Sequence, residues 1–183
     1  MQQVPKDSWF SPSIEIRTSP ISGKGIFAIA PIKKGEVVEI WGEYWNGKKT
    51  VEYTDSKVKA ETAKKQSKLV MYWDTNLYSI EERGADDGYY INHSCDSNLW
   101  LKDSFTLTAR RDIKPGEEIT IDYALFESSG DFISVYAATW DCHCGFIDCR
   151  HKITGKDWQL KAVQKMYKGH FSPLLNKKIA RQA

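Results

Sequence analysis

A mainly β fold with a few short helices, β+α in class, is what this chain predicts, on three observations. Short runs rich in β-branched and aromatic residues recur along its first two thirds. Clusters of Gly, Pro, Asn and Asp punctuate those runs. Helical patterns are confined to one lysine-rich stretch and the C-terminal end.

In chain order, the strand runs are IEIR (14–17), EVVEIW (36–41), LVMYW (69–73), LYSI (77–80), LWL (99–101), FTLTAR (105–110) and EITIDY (118–123). The turns between them are SGKG, KKGE, DTN and KPGE. Side chains alternate across a strand, so Phe105, Leu107 and Ala109 share one face, and Ile119, Ile121 and Tyr123 share another. Tyr123 is therefore expected to end a strand and to point with its buried neighbours. DSKVKAETAKKQS (55–67) reads as a helix, and its many lysines make it an exposed insertion rather than core. After Tyr123 the pattern dissolves through ALFESSGDFISVYAATW (124–140). Two helices then close the chain. DWQLKAVQKMYKG (157–169) has Asp157 as its N-cap and Gly169 past its end; SPLLNKKIA (172–180) has Ser172 as N-cap and Pro173 at the first helical position.

With 41% hydrophobic residues and seven tryptophans, the chain can bury one core. Its longest apolar stretch, IFAIAPI, is too short to span a bilayer, and MQQVPKDSWFSPS does not read as a signal peptide. A soluble intracellular protein without membrane contact is expected, cytoplasmic in a prokaryote and with a nucleus not excluded. The net charge of +2 hides an asymmetry: residues 150–183 carry nine Lys/Arg against the single acid Asp157, whereas residues 1–149 carry 17 basic and 23 acidic side chains. An acidic body suits a cationic substrate. For the basic tail a solvated helix face is the plainer account, and nucleic-acid contact the less favoured one.

The four cysteines carry the first chemical signal. Cys142, Cys144 and Cys149 form C-x-C-x4-C, three thiols within eight residues, while Cys95 stands alone in YYINHSC (89–95). In a reducing compartment this spacing suggests metal before disulfides. Tetrahedral zinc needs four ligands, and Cys95 is the only cysteine left. His143 and His151 are rivals for the fourth place, although His143 lies between two ligands, where its side chain would tend to point away. Reduced thiols without metal remain the alternative. A zinc held by four thiolates is structural, with no open position for water, and would pin YYINHSC to the C-terminal segment with Tyr123 between them in chain order.

GKGIF (23–27), EIWGE (39–43), YYINHSCDSNL (89–99), ARRDIKPGEEITIDY (109–123) and CHCGFIDC (142–149) stand in the order and approximate spacing of the SET-domain protein lysine methyltransferases with a zinc-binding post-SET segment. The chain resembles that family over roughly residues 13–155, in the manner of its compact microbial members. The resemblance implies small twisted sheets with a C-terminal pseudoknot that brings NHSC beside the IDY strand. It implies a SET domain at 13–127 with an insertion at about 44–87, a post-SET zinc segment at 128–155 and a basic helical tail at 156–183. It further implies S-adenosylmethionine on one face and a target lysine entering a narrow channel from the other. The main chain at Lys24 and Gly25 would hold the methionine part of the cofactor, with Asn92 and the main chain of His93 binding its ends. Tyr89 would lie alongside, and Trp140 would cover the adenine. Tyr123 would be the catalytic tyrosine, Ile40 and Ile121 would line the channel with it, and Cys95, Cys142, Cys144 and Cys149 would hold one structural zinc. Singly, each has a plainer structural reading; together they imply methylation of an exposed lysine in a protein or peptide.

The chain also departs from the family pattern. Many members have Phe or Tyr where Ile121 stands, and chromatin enzymes often have a channel tyrosine where Ile40 stands. A roomier channel without that hydroxyl implies di- or trimethylation. Ser97 replaces a common proline, a change expected to be tolerated in a loop. The acidic stretch EERGADD (81–87) could attract basic residues flanking the target, with surface solvation as the alternative. Two other functions compete: a catalytically silent SET-like module that binds basic peptides, and a zinc-stapled nucleic-acid binder using the tail.

Overall fold

Alternation confined to four or five residues at a time builds several small sheets rather than one large one, and that is the architecture. The structure, a computed structural model, describes residues 3–127 and 140–182. In chain order its first strands are β1 (Trp9–Phe10), β2 (Ile14–Thr18), β3 (Lys24–Ala28), β4 (Val37–Ile40), β5 (Tyr44–Trp45), β6 (Lys48–Lys49) and β7 (Val51–Thr54). Helix α1 (Lys57–Lys65) precedes β8 (Leu69–Asp74), β9 (Leu77–Glu81), β10 (Asn92–His93), β11 (Leu99–Leu101), β12 (Thr106–Ala109) and β13 (Glu118–Ile121). The chain closes with β14 (Trp140–Asp141), β15 (Lys152–Ile153), α2 (Lys161–Met166) and α3 (Pro173–Ala180).

Two four-stranded sheets, ordered β1-β4-β12-β11 and β10-β13-β3-β2, enclose the core. Val38, Leu99, Leu107 and Ile119 are fully buried there. The pairing of β10 with β13 is parallel, Asn92 opposite Thr120 and His93 opposite Ile121, so NHSC does lie beside the IDY strand. The insertion forms a three-stranded sheet, β7-β9-β8. Helix α1 covers it, with Ser56 accepting the Lys59 N–H as N-cap. This helix is not simply exposed: Ala60 and Ala63 pack on Val70, Tyr78 and Ile80 as a second small core. Alanines contribute little to an apolar pattern, which is why the lysines dominated the reading.

Two other expectations change. Strand β13 stops at Ile121, and Tyr123 opens a 3₁₀ turn, Tyr123–Leu125, because the Asp122 carboxylate accepts the Ala124 N–H and diverts the backbone from the ladder. The helix expected from Asp157 is broken: a 3₁₀ turn over Asp157–Gln159 precedes α2, and extended Leu160 separates them. Asp157 caps nothing. It is buried and paired with Arg150, 3.0 Å from its Nε. Ser97 does lie in a loop, between β10 and β11, and is fully buried there, its hydroxyl donating to the Leu99 carbonyl at 2.8 Å and meeting the Tyr167 hydroxyl at 3.1 Å, which ties that loop to the C-terminal segment. At α3 Ser172 does accept the Leu175 N–H, with Pro173 at the first position.

The C-terminal helices belong to the main core. Tyr167 and Leu175 are fully buried in it, and His170 stacks on Trp100 with ring centroids 3.5 Å apart. Among the described residues no helix is long and apolar enough to cross a membrane. The uncertain run after Tyr123 falls largely on residues 128–139, outside the described ones.

Candidate active site

The four thiols meet. Their sulfurs all lie within 4.8 Å of one another, with Cys95–Cys142 at 3.9 Å, Cys95–Cys149 at 4.0 Å and Cys144–Cys149 at 3.6 Å. A tetrahedron with zinc–sulfur bonds of about 2.3 Å has edges of about 3.8 Å. The donor set therefore fits one zinc ion, and neither His143 nor His151 belongs to it. Hydrogen bonds reach the sulfurs from outside: the Arg150 N–H donates to Cys95 Sγ at 3.4 Å and the His151 N–H to Cys149 Sγ at 3.3 Å. Such donors stabilise thiolates. The Cys142 thiol, His93 and Arg150 together hold the Cys95 thiol below its ordinary range.

His93 ties this cluster to Tyr123. The Tyr123 main-chain N–H donates to His93 Nδ1 at 3.2 Å, so the neutral ring carries its proton on Nε2, which faces Cys95 Sγ at 3.4 Å. A second tie runs through Arg150, whose guanidinium grips the fully buried Asp122 with Nη1 at 2.8 Å and Nη2 at 2.7 Å. Asp122 in turn caps the turn that starts at Tyr123. The Tyr123 hydroxyl donates to the Ile91 carbonyl at 2.9 Å. Burial pushes its phenol well above the ordinary value, so it remains a donor at physiological pH.

Asn92 sits at the other end of β10. Its amide donates to Glu118 Oε1 at 2.7 Å, with the Lys24 carbonyl at 3.0 Å and Ser19 Oγ at 3.1 Å also in reach. The Ser19 hydroxyl donates to the same carboxylate at 2.8 Å. Gly25 makes room for this group, since a β-carbon there would collide with the Glu118 carboxylate and stand 2.9 Å from the Ser19 Cβ. Glu118, Ser19, Asp122 and Arg150 were not singled out from the sequence. Each is a common residue in a common setting, and only the partners reveal its part.

A cavity of about 610 Å³ runs between these groups. Lys24, Tyr89, Asn92, His93, Trp140, Ile121 and Tyr123 all line it. Gly25 and Ile40 do not: Gly25 faces Glu118, and Ile40 pairs with Trp9 and Thr106 in the neighbouring sheet. Alternation along the strand turns Trp41, not Ile40, to the cavity, where it meets Trp73 and Phe126.

Small sheets, one of them holding a parallel pair with a tyrosine turn and a four-thiol cluster at its end, define a SET domain with a post-SET metal segment. The chain belongs to the SET-domain family, whose profile matches residues 23–124. It is similar to histone-lysine N-methyltransferase ASHH3 of Arabidopsis thaliana, 29% identical over 72% of this chain and 35% of that protein. It is also similar to the putative histone-lysine N-methyltransferase ASHH4 of the same plant, 30% identical over 76% of this chain and 39% of that protein. Histone-lysine N-methyltransferase SUV39H2 of Xenopus tropicalis is 28% identical over 73% of this chain and 37% of that protein. The chain thus spans little more than a third of the length of these relatives.

Proposed function

We propose that the protein transfers a methyl group from S-adenosylmethionine to the side-chain amine of lysine in a protein substrate. The observation that carries this reading is the shared cavity: Tyr123, Asn92 and Lys24 border one space, beside a metal-fit cluster. Bound S-adenosylmethionine supplies an electrophilic methyl on a sulfonium. Lys24, Asn92, His93 and Tyr89 would hold it, with Trp140 over the adenine.

The nucleophile must be the neutral amine, and lysine's ordinary pKa of about 10.4 keeps that form scarce at neutral pH. Trp41, Trp73 and Phe126 give the cavity an aromatic wall, and an apolar surround disfavours the ammonium form. Tyr123, held as a neutral donor and anchored to the Ile91 carbonyl, orients the reacting atoms; alignment and preorganised polarity supply most of the rate. Ile121 presents no hydroxyl to the cavity, which favours di- and trimethyl products. Cys95, Cys142, Cys144 and Cys149 would hold one structural zinc with no open position, and thiolates of this kind suit a reducing, intracellular compartment.

The test is mass spectrometry after incubating the protein with S-adenosylmethionine and a host lysate. Lysines should gain methyls, and Tyr123→Phe should slow the gain by about 10²-fold, the scale of losing one preorganised donor. Equal incorporation by wild type and Tyr123→Phe would remove the tyrosine from the mechanism, and no incorporation would remove the activity.

A further inference from the structure

Glu118, the first residue of β13, carries a half-buried carboxylate whose partners among the described residues are neutral. The Ser19 hydroxyl donates to it at 2.8 Å and the Asn92 amide at 2.7 Å, while among those residues no lysine or arginine pairs with it. Gly25 gives the group its room, since a β-carbon there would collide with it. Its charge is felt across the cavity: burial, then Tyr89, then Glu118 raise the Tyr123 phenol.

Asn92 supplies the second observation. Its Nδ2 has two hydrogens and four acceptors in reach: Glu118 Oε1 at 2.7 Å, the Lys24 carbonyl at 3.0 Å, Ser19 Oγ at 3.1 Å and the Ser22 carbonyl at 3.2 Å. Turning the amide over would set Oδ1 against a carboxylate and two carbonyls, so the network fixes its orientation. Among the described residues nothing donates to Asn92 Oδ1. Asn92 lines the cavity, and that oxygen is the acceptor it has left for a ligand.

A corner built of a carboxylate, two carbonyls and an amide oxygen favours a ligand group that is positive and donates, and it repels a carboxylate. The amide passes the charge on, because a charged acceptor on its N–H side polarises it and strengthens its oxygen as an acceptor. The α-ammonium of S-adenosylmethionine is both positive and a donor, whereas its sulfonium has charge but no N–H. A plainer role for Glu118 is to staple the loop between β2 and β3: Ser19 also accepts the Ile21 N–H at 2.9 Å, and Ser22, Gly23 and Lys24 line the cavity. The two roles part over a ligand that lacks the amine.

We propose that Glu118 is a positioning residue for the cofactor: through the Asn92 amide its carboxylate presents Asn92 Oδ1 to the α-ammonium and makes the site selective for ligands that carry one. This deepens the methyltransferase reading and rests on it for the identity of the ligand.

Calorimetry on the full chain compares S-adenosylhomocysteine with its analogue lacking the α-amino group. Wild type should bind the amine-bearing ligand more tightly by about tenfold or more, the scale of one hydrogen bond to a charged group. Glu118→Gln keeps the shape and an acceptor oxygen but not the charge; it should weaken S-adenosylhomocysteine by about tenfold and leave the analogue within about twofold. In an Asn92→Ala background the same substitution should change neither affinity. Ser19→Ala, which loosens the loop and spares the carboxylate, should retain the preference. If Glu118→Gln does not fold, Glu118→Asp, which withdraws the carboxylate from the amide, should show the same selective loss. Equal binding of the two ligands by wild type, binding of neither, a Glu118 variant that weakens both alike or neither, or loss of the preference in Ser19→Ala would each overturn the role. Methyl transfer is read separately. An amine preference that depends on Glu118 without methyl transfer keeps the role and sinks the activity, whereas methyl transfer without that preference does the reverse.

Discussion

Arg150 follows the last cysteine of the cluster and joins three segments at once. Its guanidinium spans Asp122, which caps the Tyr123 turn, and Asp157, which precedes α2, while its backbone N–H meets Cys95. In the sequence it counted only as one more charge of a basic tail, because nothing in CHCGFIDCR tells which carboxylate a loop will bring to it. Removing one partner of a buried ion pair strands the other, at about 3–5 kcal/mol. Arg150→Ala should therefore lower unfolding stability by about 3 kcal/mol in urea titration. Adding Asp122→Asn should recover part of that loss, since the stranded charge is then gone. If the double variant is no more stable than the single one, the penalty lies in packing or in the stranded Asp157 and not in Asp122.

The elements that were legible are those whose signal is local. Strands β8, β9, β11, β12 and β13 sit where alternating or β-branched runs place them. Strand β3 was not read as a strand because Gly25 to Ala28 are buried without alternation. The Tyr123 turn was misread as strand because its cause is one carboxylate accepting one N–H. The thiol count was legible without geometry, since four ligands and four cysteines close the sum. What the count could not show is how the cluster acts on the site: Cys95 lies two residues past β10, and Cys142 one past β14, whose Trp140 lines the cavity. Stripping metal with a thiol-competent chelator should free the β14–β15 hairpin from β10 and leave the main core folded. Binding of S-adenosylmethionine should weaken by about tenfold or more in calorimetry, while far-ultraviolet circular dichroism changes little. Cys95→Ser should reproduce both results. Unchanged cofactor affinity after verified metal loss would show that the cluster staples the chain without shaping the cavity.

At the scale of the molecule, the charge asymmetry proves partly structural. Lys177 reaches back to Asp74 at 2.6 Å and Lys178 lies 5.7 Å over the Trp158 ring, so tail cations help seat α3 against the inserted sheet and the core. The acidic side is less well served, since burial raises Glu39, Glu81 and Asp86, and Asp86 raises the other two further. The sign of the consequence is fixed. A carboxyl with a folded pKa of about 7 binds more protons folded than unfolded, so its contribution falls as pH rises from the unfolded value of 4.5 through 7. Glu81→Gln should therefore gain stability over wild type at about pH 8, by up to about 3 kcal/mol, and little at about pH 5. Asp112 and Asp141 shift downward at exposed sites and act below about pH 4, outside this window. Metal-linked protonation of the thiols affects both proteins alike and cancels in their difference. Urea midpoints across this range should diverge as pH rises; parallel profiles would mean that Glu81 is solvated in the folded chain.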